Sequence, residues 1–316
     1  MKKTNNLIAI VFMSIILSGV SAFGAAAQSV QVFTSKNADG KITAKSIDEA
    51  FGKSGLIVDG NNDMNKPFKL RFNNNYYKTY NLAMFRNKEI TLKLLKKYPT
   101  FGLLTPLTMS IWSDKGTMNI STLTLAGIAR TGEIPIDDPD LIAYSKSIEK
   151  ALRAAMPNGH FKKLNHTVKF PKKSFQTRYT MELDIDADTD MEELKEDFEA
   201  EFEGEMEPIG FLMPGYLNLV DEAFEPAGYD AYDFYDTYSV CKFDVIYPVS
   251  RLHPEAGAYA PCAFYIYKKK GENKMHMGWL GVDNWITTLD IKDEESIKPL
   301  RAAHKMIEDI IKEIIE

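Results

Sequence analysis

The chain is poor in the residues that carry most redox and metal chemistry. It has 316 residues, of which two are cysteines and five are histidines, and it contains no Cys-x-x-Cys pair. Thioredoxin-like disulfide exchange is therefore not expected. No strand-like run leads through a Gly-rich loop into a helix, which argues against a dinucleotide-binding or P-loop fold. The Gly-x-Ser-x-Gly and His-Glu-x-x-His motifs of hydrolases are also absent.

Positive charge is not in excess either, because the formal net charge is −6 at pH 7. Sequence-independent binding to nucleic acid and electrostatic docking on anionic lipid both need clustered Lys and Arg, so neither is expected. We interpret the short basic run at 268–270 as a solvated turn. Hydrophobic residues make up 45% of the chain and charged residues 26%. This composition is typical of a globular protein with a substantial core.

One long apolar run lies near the N-terminus, and no later segment is apolar enough to cross a bilayer. Lys2 and Lys3 precede the apolar stretch Leu7–Val20, and small residues follow up to Ala27. This order is typical of a cleaved secretory signal peptide. The stretch is shorter than the about 20 residues of a membrane span. We predict cleavage after Ala27, a periplasmic or secreted protein, and no stable membrane span after cleavage; an uncleaved anchor is the alternative.

The chain also resembles itself. Residues 77–85 and 235–243 share the pattern Tyr-x-Thr-Tyr-x-aliphatic-x-x-Phe. A Pro, Gly, Pro series with identical spacing follows in each half: Pro99, Gly102 and Pro106, then Pro254, Gly257 and Pro261. An apolar strand, a Gly turn and a second strand come next in both halves, with two extra residues in the second turn. Several motifs in the same order indicate an internal duplication.

The segments that flank these motifs predict the fold class. A capping-box pattern and a closing glycine predict a helix from Ser46 to Gly55, and a matching helix from Thr189 to Gly204. Helical periodicity also closes each half. Strands bunched between helices predict an α+β fold of two tandem two-layer domains, each an antiparallel sheet packed on helices. The predicted boundaries are 1–27 for the signal peptide, 28–157 for the first repeat, 158–164 for a linker and 165–316 for the second repeat.

Each half resembles the bacterial domain of unknown function 302 family. The resemblance rests on the order of an N-terminal helix, a middle strand, a proline-led strand, a Gly turn and a returning strand. The last two strands are Thr105–Trp112 and Met118–Ser121 in the first half, and Ala260–Tyr267 and Met275–Met277 in the second. The resemblance implies compact two-layer α+β domains that pair, and therefore an intrachain pseudo-dimer. It implies no catalytic residues.

The two cysteines, Cys241 and Cys262, both lie in the second repeat. The repeat alignment places them opposite Ala83 and Leu107, so both are expected on core strands. Two buried cysteines in an oxidising compartment favour a disulfide. Closing that loop would stabilise the fold by roughly 3 kcal/mol. Unpaired core thiols and a redox or metal role are the alternatives.

Two further groups are candidate sites in the second repeat. Met275, His276 and Met277 combine thioether and imidazole groups that suit copper. On a strand, however, the methionines point away from the histidine, which favours core packing. No cofactor is therefore predicted, with copper as the alternative.

His253 precedes the proline-led strand and is a candidate ligand or acid–base group. Tyr232 and Tyr235 belong to an aromatic and acidic stretch that is typical of a small-molecule or partner site. The duplication and the missing catalytic constellation favour a non-enzymatic protein that binds a small molecule or a periplasmic protein at the cleft between its copies. A redox or copper-handling protein that uses the second repeat is the alternative, and an enzyme with unaligned acidic and histidine residues is a third hypothesis.

Overall fold

The computed structural model describes residues 28–165 and 174–316, and the predicted signal peptide lies outside these ranges. Within them, no helix combines the length and the apolar character that a membrane span requires. The half predicted as a first repeat, called the first repeat below, consists of β1 Val30–Lys36, α1 Ala44–Lys53, β2 Ile57–Asp63, α2 Asn65–Phe72, β3 Tyr80–Arg86, α3 Lys88–Lys97, a 3-10 helix Pro99–Leu104, β4 Leu107–Asp114, β5 Thr117–Leu123, α4 Leu125–Gly132, α5 Pro139–Ala155 and β6 His160–Lys162.

The second repeat contains the elements equivalent to β1 through α5 in the same order, with short turns in place of α2, and its described residues have no counterpart of β6. It consists of β7 Gln176–Glu182, α6 Met191–Met206, β8 Leu212–Asn218, a π-helical turn Val220–Phe224, a 3-10 turn Glu225–Ala227, β9 Tyr232–Cys241, α7 Phe243–Leu252, a 3-10 helix Pro254–Tyr259, β10 Cys262–Lys269, β11 Lys274–Leu280, α8 Val282–Thr288 and α9 Glu294–Ile315.

Both sheets are antiparallel and have the same strand order. The first runs β2-β3-β4-β5-β1-β6 and the second β8-β9-β10-β11-β7. Helices α6 and α9 cover one face of the second sheet with a separate apolar cluster that includes Phe198, Phe202 and Ile311. The predicted α+β class with two antiparallel sheets is confirmed. The extra strand β6 falls inside the segment predicted as a linker, where it pairs with β1.

The strand register corrects the alignment of the two repeats. Tyr80 pairs with Trp112 in the first sheet and Tyr235 pairs with Tyr267 in the second, so equivalent residues are 155 positions apart (235 − 80 and 267 − 112). The Pro, Gly, Pro series obeys this shift, but the tyrosine motif matched Tyr77 with Tyr235 and was wrong by three residues. Tyr-x-Thr-Tyr contains two tyrosines three apart, so the pattern matches in either register. Cys241 is therefore equivalent to Arg86 and not to Ala83.

Two predicted helix boundaries also move. Thr43 caps α1 and forms the capping box with Ser46, so the helix begins earlier than predicted. In the second repeat the carboxylate of Asp190 accepts the N–H groups that start α6, whereas the Thr189 hydroxyl donates to Asp186. The predicted closing glycine, Gly204, lies inside α6.

The repeats are joined by a reciprocal insertion of their 3-10 helices. Pro99–Leu104 packs on β9, β10 and β11 of the second sheet, and Pro254–Tyr259 packs on β1, β4 and β5 of the first. The Tyr235 hydroxyl donates to the Pro99 carbonyl, and the equivalent Tyr80 hydroxyl donates to the Pro254 carbonyl at 3.3 Å. One apolar cluster consequently runs through both repeats. The intrachain pseudo-dimer stays a prediction.

Glycine is required where each inserted helix approaches the opposite sheet. A Cβ at Gly257 would overlap Ser110, and one at the equivalent Gly102 would overlap the Tyr235 ring. We expect Gly257→Ala to lower the free energy of unfolding by about 1–3 kcal/mol, since overpacking of a close-packed interface has that cost. Gly204→Ala is the control, because a Cβ there meets nothing within 4 Å.

The control should raise the free energy of unfolding by about 0.5–1 kcal/mol, because alanine favours a helix interior more than glycine does. Urea denaturation of the three proteins measures both changes. If Gly257→Ala is as stable as the parent chain, the inserted helices do not hold the repeats together.

Candidate functional site

The structure contains Cys241 and Cys262 as free thiols, so the prediction of a disulfide is wrong. Cys262 pairs with Val240 and shares its face of the second sheet, whereas the next residue, Cys241, points to the opposite face. Burial raises the pKa of each thiol to about 12. Both side chains are therefore protonated at neutral pH, which disfavours a role as nucleophile or metal ligand.

The side chains of Met275, His276 and Met277 do not converge. The two methionines are buried beneath the helices of the second repeat. His276 points the other way, where its ring stacks on Tyr267 at 4.8 Å and its Nε2 lies 3.1 Å from a Glu272 oxygen. Among residues 28–165 and 174–316, no group of three or more His, Cys, Asp or Glu side chains is arranged to hold a metal ion. Copper binding stays an untested prediction.

His253 belongs to a linkage that occurs in both repeats. Its Nε2 lies 2.7 Å from Oδ2 of Asp293, the residue that caps α9. The equivalent residue, Tyr98, donates at 3.0 Å to Asp138, which caps α5. Burial opposes ionisation of Asp293, but hydrogen bonds from His253 and Ser296 outweigh it and lower its pKa to about 2. The histidine therefore holds the segment before the inserted helix to the terminal helix.

Tyr232 and Tyr235 lie inside the molecule and do not line a surface. Both are buried, in an aromatic cluster with Phe224, Tyr229 and Tyr267. The Tyr235 hydroxyl is bonded to the inserted helix of the first repeat. These tyrosines therefore contribute to the contact between repeats.

The sequence patterns did not predict a buried carboxylate on strand β9. Asp236 lies in the middle of β9 with 0% of its surface exposed. Its Oδ1 accepts from the Tyr216 hydroxyl at 2.9 Å, and its Oδ2 has no hydrogen-bond partner among the described residues. Burial raises the pKa of Asp236 to about 7, although the Lys195 ammonium opposes that shift. In sequence, Asp236 is an even number of residues from the apolar residues Phe234 and Val240. The strand period of two therefore places it on the same face as these residues, and that period was the available signal for its burial.

Helix α6 brings further ionisable groups to the same face of the sheet. The Tyr238 hydroxyl donates to Glu199, whose pKa burial raises. Lys195 is almost fully buried, and its Nζ lies 2.5 Å from a Glu192 oxygen. The sequence of α6 is rich in acidic residues, which is typical of a solvated helix. Nothing in that sequence indicates that Lys195 is buried.

The first repeat has neutral groups at the equivalent positions. Asn81 takes the place of Asp236 and donates at 2.9 Å to Asn61, which takes the place of Tyr216. Asn61 in turn donates to Asp48 of α1 at 2.7 Å. Because an amide pair forms the same elements, the fold does not require a charge at this position. The buried carboxylate is a specialisation of the second repeat.

Two cavities meet at the edge strand β8. The α6 cleft, of about 320 Å³, is lined by Glu192, Lys195, Glu196, Glu199, Glu203, Met213, Gly215, Tyr216 and Tyr238. The junction cavity, of about 80 Å³, lies between the repeats and is lined by Asp59, Met84, Pro106, Gly215, Tyr216, Leu217, Thr237 and Ser239. Both contain Gly215 and Tyr216. The Thr237 hydroxyl in the junction cavity is buried and has no partner within the described ranges.

A larger open groove lies at the start of α6. It measures about 610 Å³, and its rim includes Asp184, Asp186, Asp188 and Asp190. The equivalent groove of the first repeat, of about 800 Å³, carries Lys45, Lys78 and Lys115 instead. No buried polar atom lacking a partner lines the described part of either groove. The β8 edge is therefore the better candidate, despite its smaller volume.

Comparisons with known proteins match part of the chain. The profile of the family described as "Domain of unknown function DUF302" matches residues 31–158. Among solved structures, the chain is similar to the uncharacterized conserved protein DUF302 from Bacillus stearothermophilus. The TM-score is 0.36 at 14% sequence identity, covering 46% of this chain and 100% of that one. No curated protein matches the chain in sequence.

The thiols of Cys241, which is buried, and Cys262, which is half-buried, should react slowly with a thiol reagent. Because the pKa of both Cys241 and Cys262 is raised to about 12, the thiolate is scarce in the native protein near neutral pH. We expect no prompt reaction with a disulfide-exchange reagent in buffer, and two thiols per chain in denaturant without reductant. A mass two daltons below the reduced value, or no thiol titrated after unfolding, would mean that the cysteines are bridged.

Asp236 should make stability depend on pH in a defined direction. The pKa of Asp236 in the folded protein, about 7, lies above its ordinary value of 3.8. The contribution of Asp236 to the free energy of unfolding is therefore complete below pH 3.8 and is lost as the pH rises to about 7. Asp236→Asn removes that loss, and asparagine is already accommodated at the equivalent Asn81. The variant's advantage in free energy of unfolding should grow between pH 4 and 7 and reach roughly 2–4 kcal/mol at pH 8.

Denaturant titrations across this pH range measure the difference. Asp186→Asn is the control, because Asp186 is exposed and hydrogen bonds from Thr189 and the backbone lower its pKa. That variant should gain no such advantage as the pH rises. A flat difference between Asp236→Asn and the parent chain would show that Asp236 is ionised throughout.

Proposed function

We propose that this chain, which belongs to the DUF302 family through its residues 31–158, is an exported, non-enzymatic protein that binds a small molecule at the junction of its repeats. The site is the edge of strand β8, where the α6 cleft and the junction cavity meet at Tyr216. The observation that carries the proposal is the buried Thr237 hydroxyl, which lines the junction cavity without a partner among the described residues.

A buried polar group without a hydrogen bond costs about 1–3 kcal/mol. Two such atoms lie on consecutive residues of β9, the Thr237 hydroxyl and Oδ2 of Asp236, on opposite faces of the strand. Native structures rarely retain such groups without a bound water or ligand that satisfies them. A polar small molecule, or water that it displaces, accounts for the Thr237 hydroxyl, which lines the junction cavity.

The dimensions of the site suit a small ligand. Ligand pockets measure about 300–1,000 Å³, and the α6 cleft lies at the lower end of that range. Gly215 forms the wall that both cavities share. A Cβ there would lie 3.0 Å from the Ser239 hydroxyl and 3.4 Å from Met84, so a side chain at this position would narrow the junction cavity.

The chemistry of the described lining favours binding over catalysis. Its polar groups are carboxylates, tyrosine, threonine and serine hydroxyls and one lysine, without a thiol or an imidazole. Burial and the neighbouring carboxylates raise the pKa of Tyr216 and Tyr238, so both hydroxyls stay protonated and act as hydrogen-bond donors. Such groups orient a ligand but provide no activated nucleophile.

The proposed export rests on the order of residues at the N-terminus. A charged start, the apolar stretch Leu7–Val20 and small residues up to Ala27 are typical of a signal peptide. The protein then binds its ligand in the periplasm or in the medium.

The valine variant of Thr237 separates binding from folding. Thr237→Val preserves the shape of the side chain and removes a hydroxyl that has no partner, so stability should be unchanged or higher by up to about 1 kcal/mol. Binding of the ligand should weaken at least tenfold. Native mass spectrometry of protein purified from periplasm, followed by a thermal-shift screen of polar small molecules, identifies the ligand.

Thr122→Val is the matched control for this experiment. The Thr122 hydroxyl is also buried and without a partner in the described structure, but it lines neither cavity. Its variant should bind as the parent chain does. Equal binding by parent chain and Thr237→Val, or no ligand from either source, would refute the proposed site.

A further inference from the structure

We propose that strand β7, an open edge of the second sheet, pairs with β7 of a second copy of this chain and forms a two-fold symmetric dimer. The surface is separate from the proposed ligand site, because β8 lies at the opposite edge of the same sheet. In such a dimer the two five-stranded sheets become one continuous sheet, and both β8 edges stay at its outer ends.

The edge that β7 occupies in the second sheet is covered in the first. β1 has β5 on one side and β6 on the other, and β6 pairs with Val32, Phe33 and Thr34. β7 has β11 on one side, and no strand among the described residues lies on its other side. The same fold therefore accepts a further antiparallel strand at this edge, and the first repeat shows where it would lie.

The strand registers identify the residues of β7 that take the place of those bound by β6. In each sheet one row of paired residues crosses three strands: Phe33, Ile120 and Ile111 in the first, and Tyr179, Met277 and Ile266 in the second. The rows are equivalent, because Ile111 and Ile266 obey the shift of 155 positions (266 − 111). Val32 and Thr34 of β1 therefore correspond to Arg178 and Thr180 of β7.

The backbone of β7 presents alternate residues to the open edge. The Leu183 N–H donates to the Asn273 carbonyl at 3.0 Å, so the odd-numbered residues bond to β11, and the bond at the other end of the strand has the same parity. In an antiparallel ladder the peptide groups of successive residues point to opposite sides. Arg178, Thr180 and Glu182 consequently direct their N–H and C=O groups at the open edge.

Two devices that usually protect an edge strand are missing from β7. Its seven residues include no proline, and it pairs with β11 without a bulge. A straight edge of this kind is a template for another strand. Charged side chains are the third common protection, but those of β7, Arg178 and Glu182, have opposite signs and are both exposed.

The sequence of β7 is complementary to itself about Thr180. In an antiparallel pair centred there, Arg178 of each copy lies opposite Glu182 of the other, and Thr180 lies opposite its own copy. Opposite charges and threonine pairs directly across strands both stabilise a sheet. The three residues are also those whose backbone groups face the edge, so this register forms the hydrogen bonds and the ion pairs together. This symmetry favours a second copy over an unrelated peptide.

The other face of the strand contributes apolar contact. Tyr179 and Met181 are half-buried at the margin of the apolar cluster beneath α6 and α9. In the same register Tyr179 of each copy lies opposite Met181 of the other. Pairing would therefore join the margins of two apolar clusters and remove more of these side chains from water.

The charges of β7 select the register more than they provide affinity. Arg178 already pairs with Glu133, and Glu182 with Lys274, each at 2.7 Å on the surface. Exposed ion pairs add little stability. Like charges placed opposite each other nevertheless disfavour an association strongly, so the sign of residues 178 and 182 is the means of testing it.

Sedimentation equilibrium of the exported protein measures the association. We expect a monomer–dimer equilibrium with a dissociation constant of about 1–100 µM, because one strand pair makes a small interface. Arg178→Glu and Glu182→Arg should each weaken the dimer at least tenfold, because each places like charges opposite each other at both ends of the pair. Thr180→Pro should abolish it, since it removes an N–H that points to the edge, where proline is tolerated.

An equal mixture of the two charge variants is the matched control. In a mixed dimer both pairs across the two-fold axis again combine opposite charges. The mixture should therefore associate at least tenfold more tightly than either variant alone. Damage to the fold would not be repaired by mixing, so this rescue separates a direct contact from a structural effect.

Hydrogen exchange identifies the residues that become covered. Exchange of the Arg178, Thr180 and Glu182 amides should slow as the protein concentration rises through the dissociation constant. A parent chain that stays monomeric, a dimer unchanged in the charge variants, or a mixture no tighter than its components would overturn the proposal. Protection of these amides in the monomer would also overturn it, because another segment of the same chain would then cover β7.

Discussion

The reciprocal insertion of the two 3-10 helices is the contact on which the rest of the structure depends. Each helix brings a glycine against the opposite sheet, at Gly102 and Gly257, and each accepts a hydrogen bond from a buried tyrosine. Because both sheets are covered in this way, one apolar cluster serves the two repeats. The insertion also brings Met84 and Ser239, which are equivalent residues, into contact at 3.0 Å. The junction cavity lies beside that contact.

Local pattern predicted much of the fold, and its failures have physical causes. The spacing of Pro254, Gly257 and Pro261 was correct, and of these Gly257 is required where the inserted helix meets the opposite sheet. The tyrosine motif was misaligned because it contains two tyrosines three residues apart, so a tyrosine can be matched in either register, whereas strand pairing fixes a single register. The disulfide failed for a related reason: adjacent strands bring two cysteines close, but the pleat directs them to opposite faces.

The candidate site was harder to predict than the fold. Asp236 belongs to a stretch that reads as aromatic and acidic, and nothing in its composition distinguishes a buried carboxylate from a solvated one. The residues predicted instead, Tyr232, Tyr235 and His253, proved to hold the repeats and helices together. The polarity of a side chain indicated function equally for Asp236 and for the residues predicted instead. Only the positions of the strands and of helix α6 show which side chains face a cavity and which hold elements together.

The covalent joining of the repeats has a consequence for their evolution and their behaviour on dilution. Two separate subunits of one sequence would dissociate at low concentration, and any change in one would appear in the other. In this chain each repeat always has the other beside it, at an effective concentration set by the segment that joins them. One half is then free to lose an amide pair and gain Asp236 and Tyr216 while the other keeps Asn81 and Asn61. The proposed site at the β8 edge is therefore present once per molecule at any protein concentration.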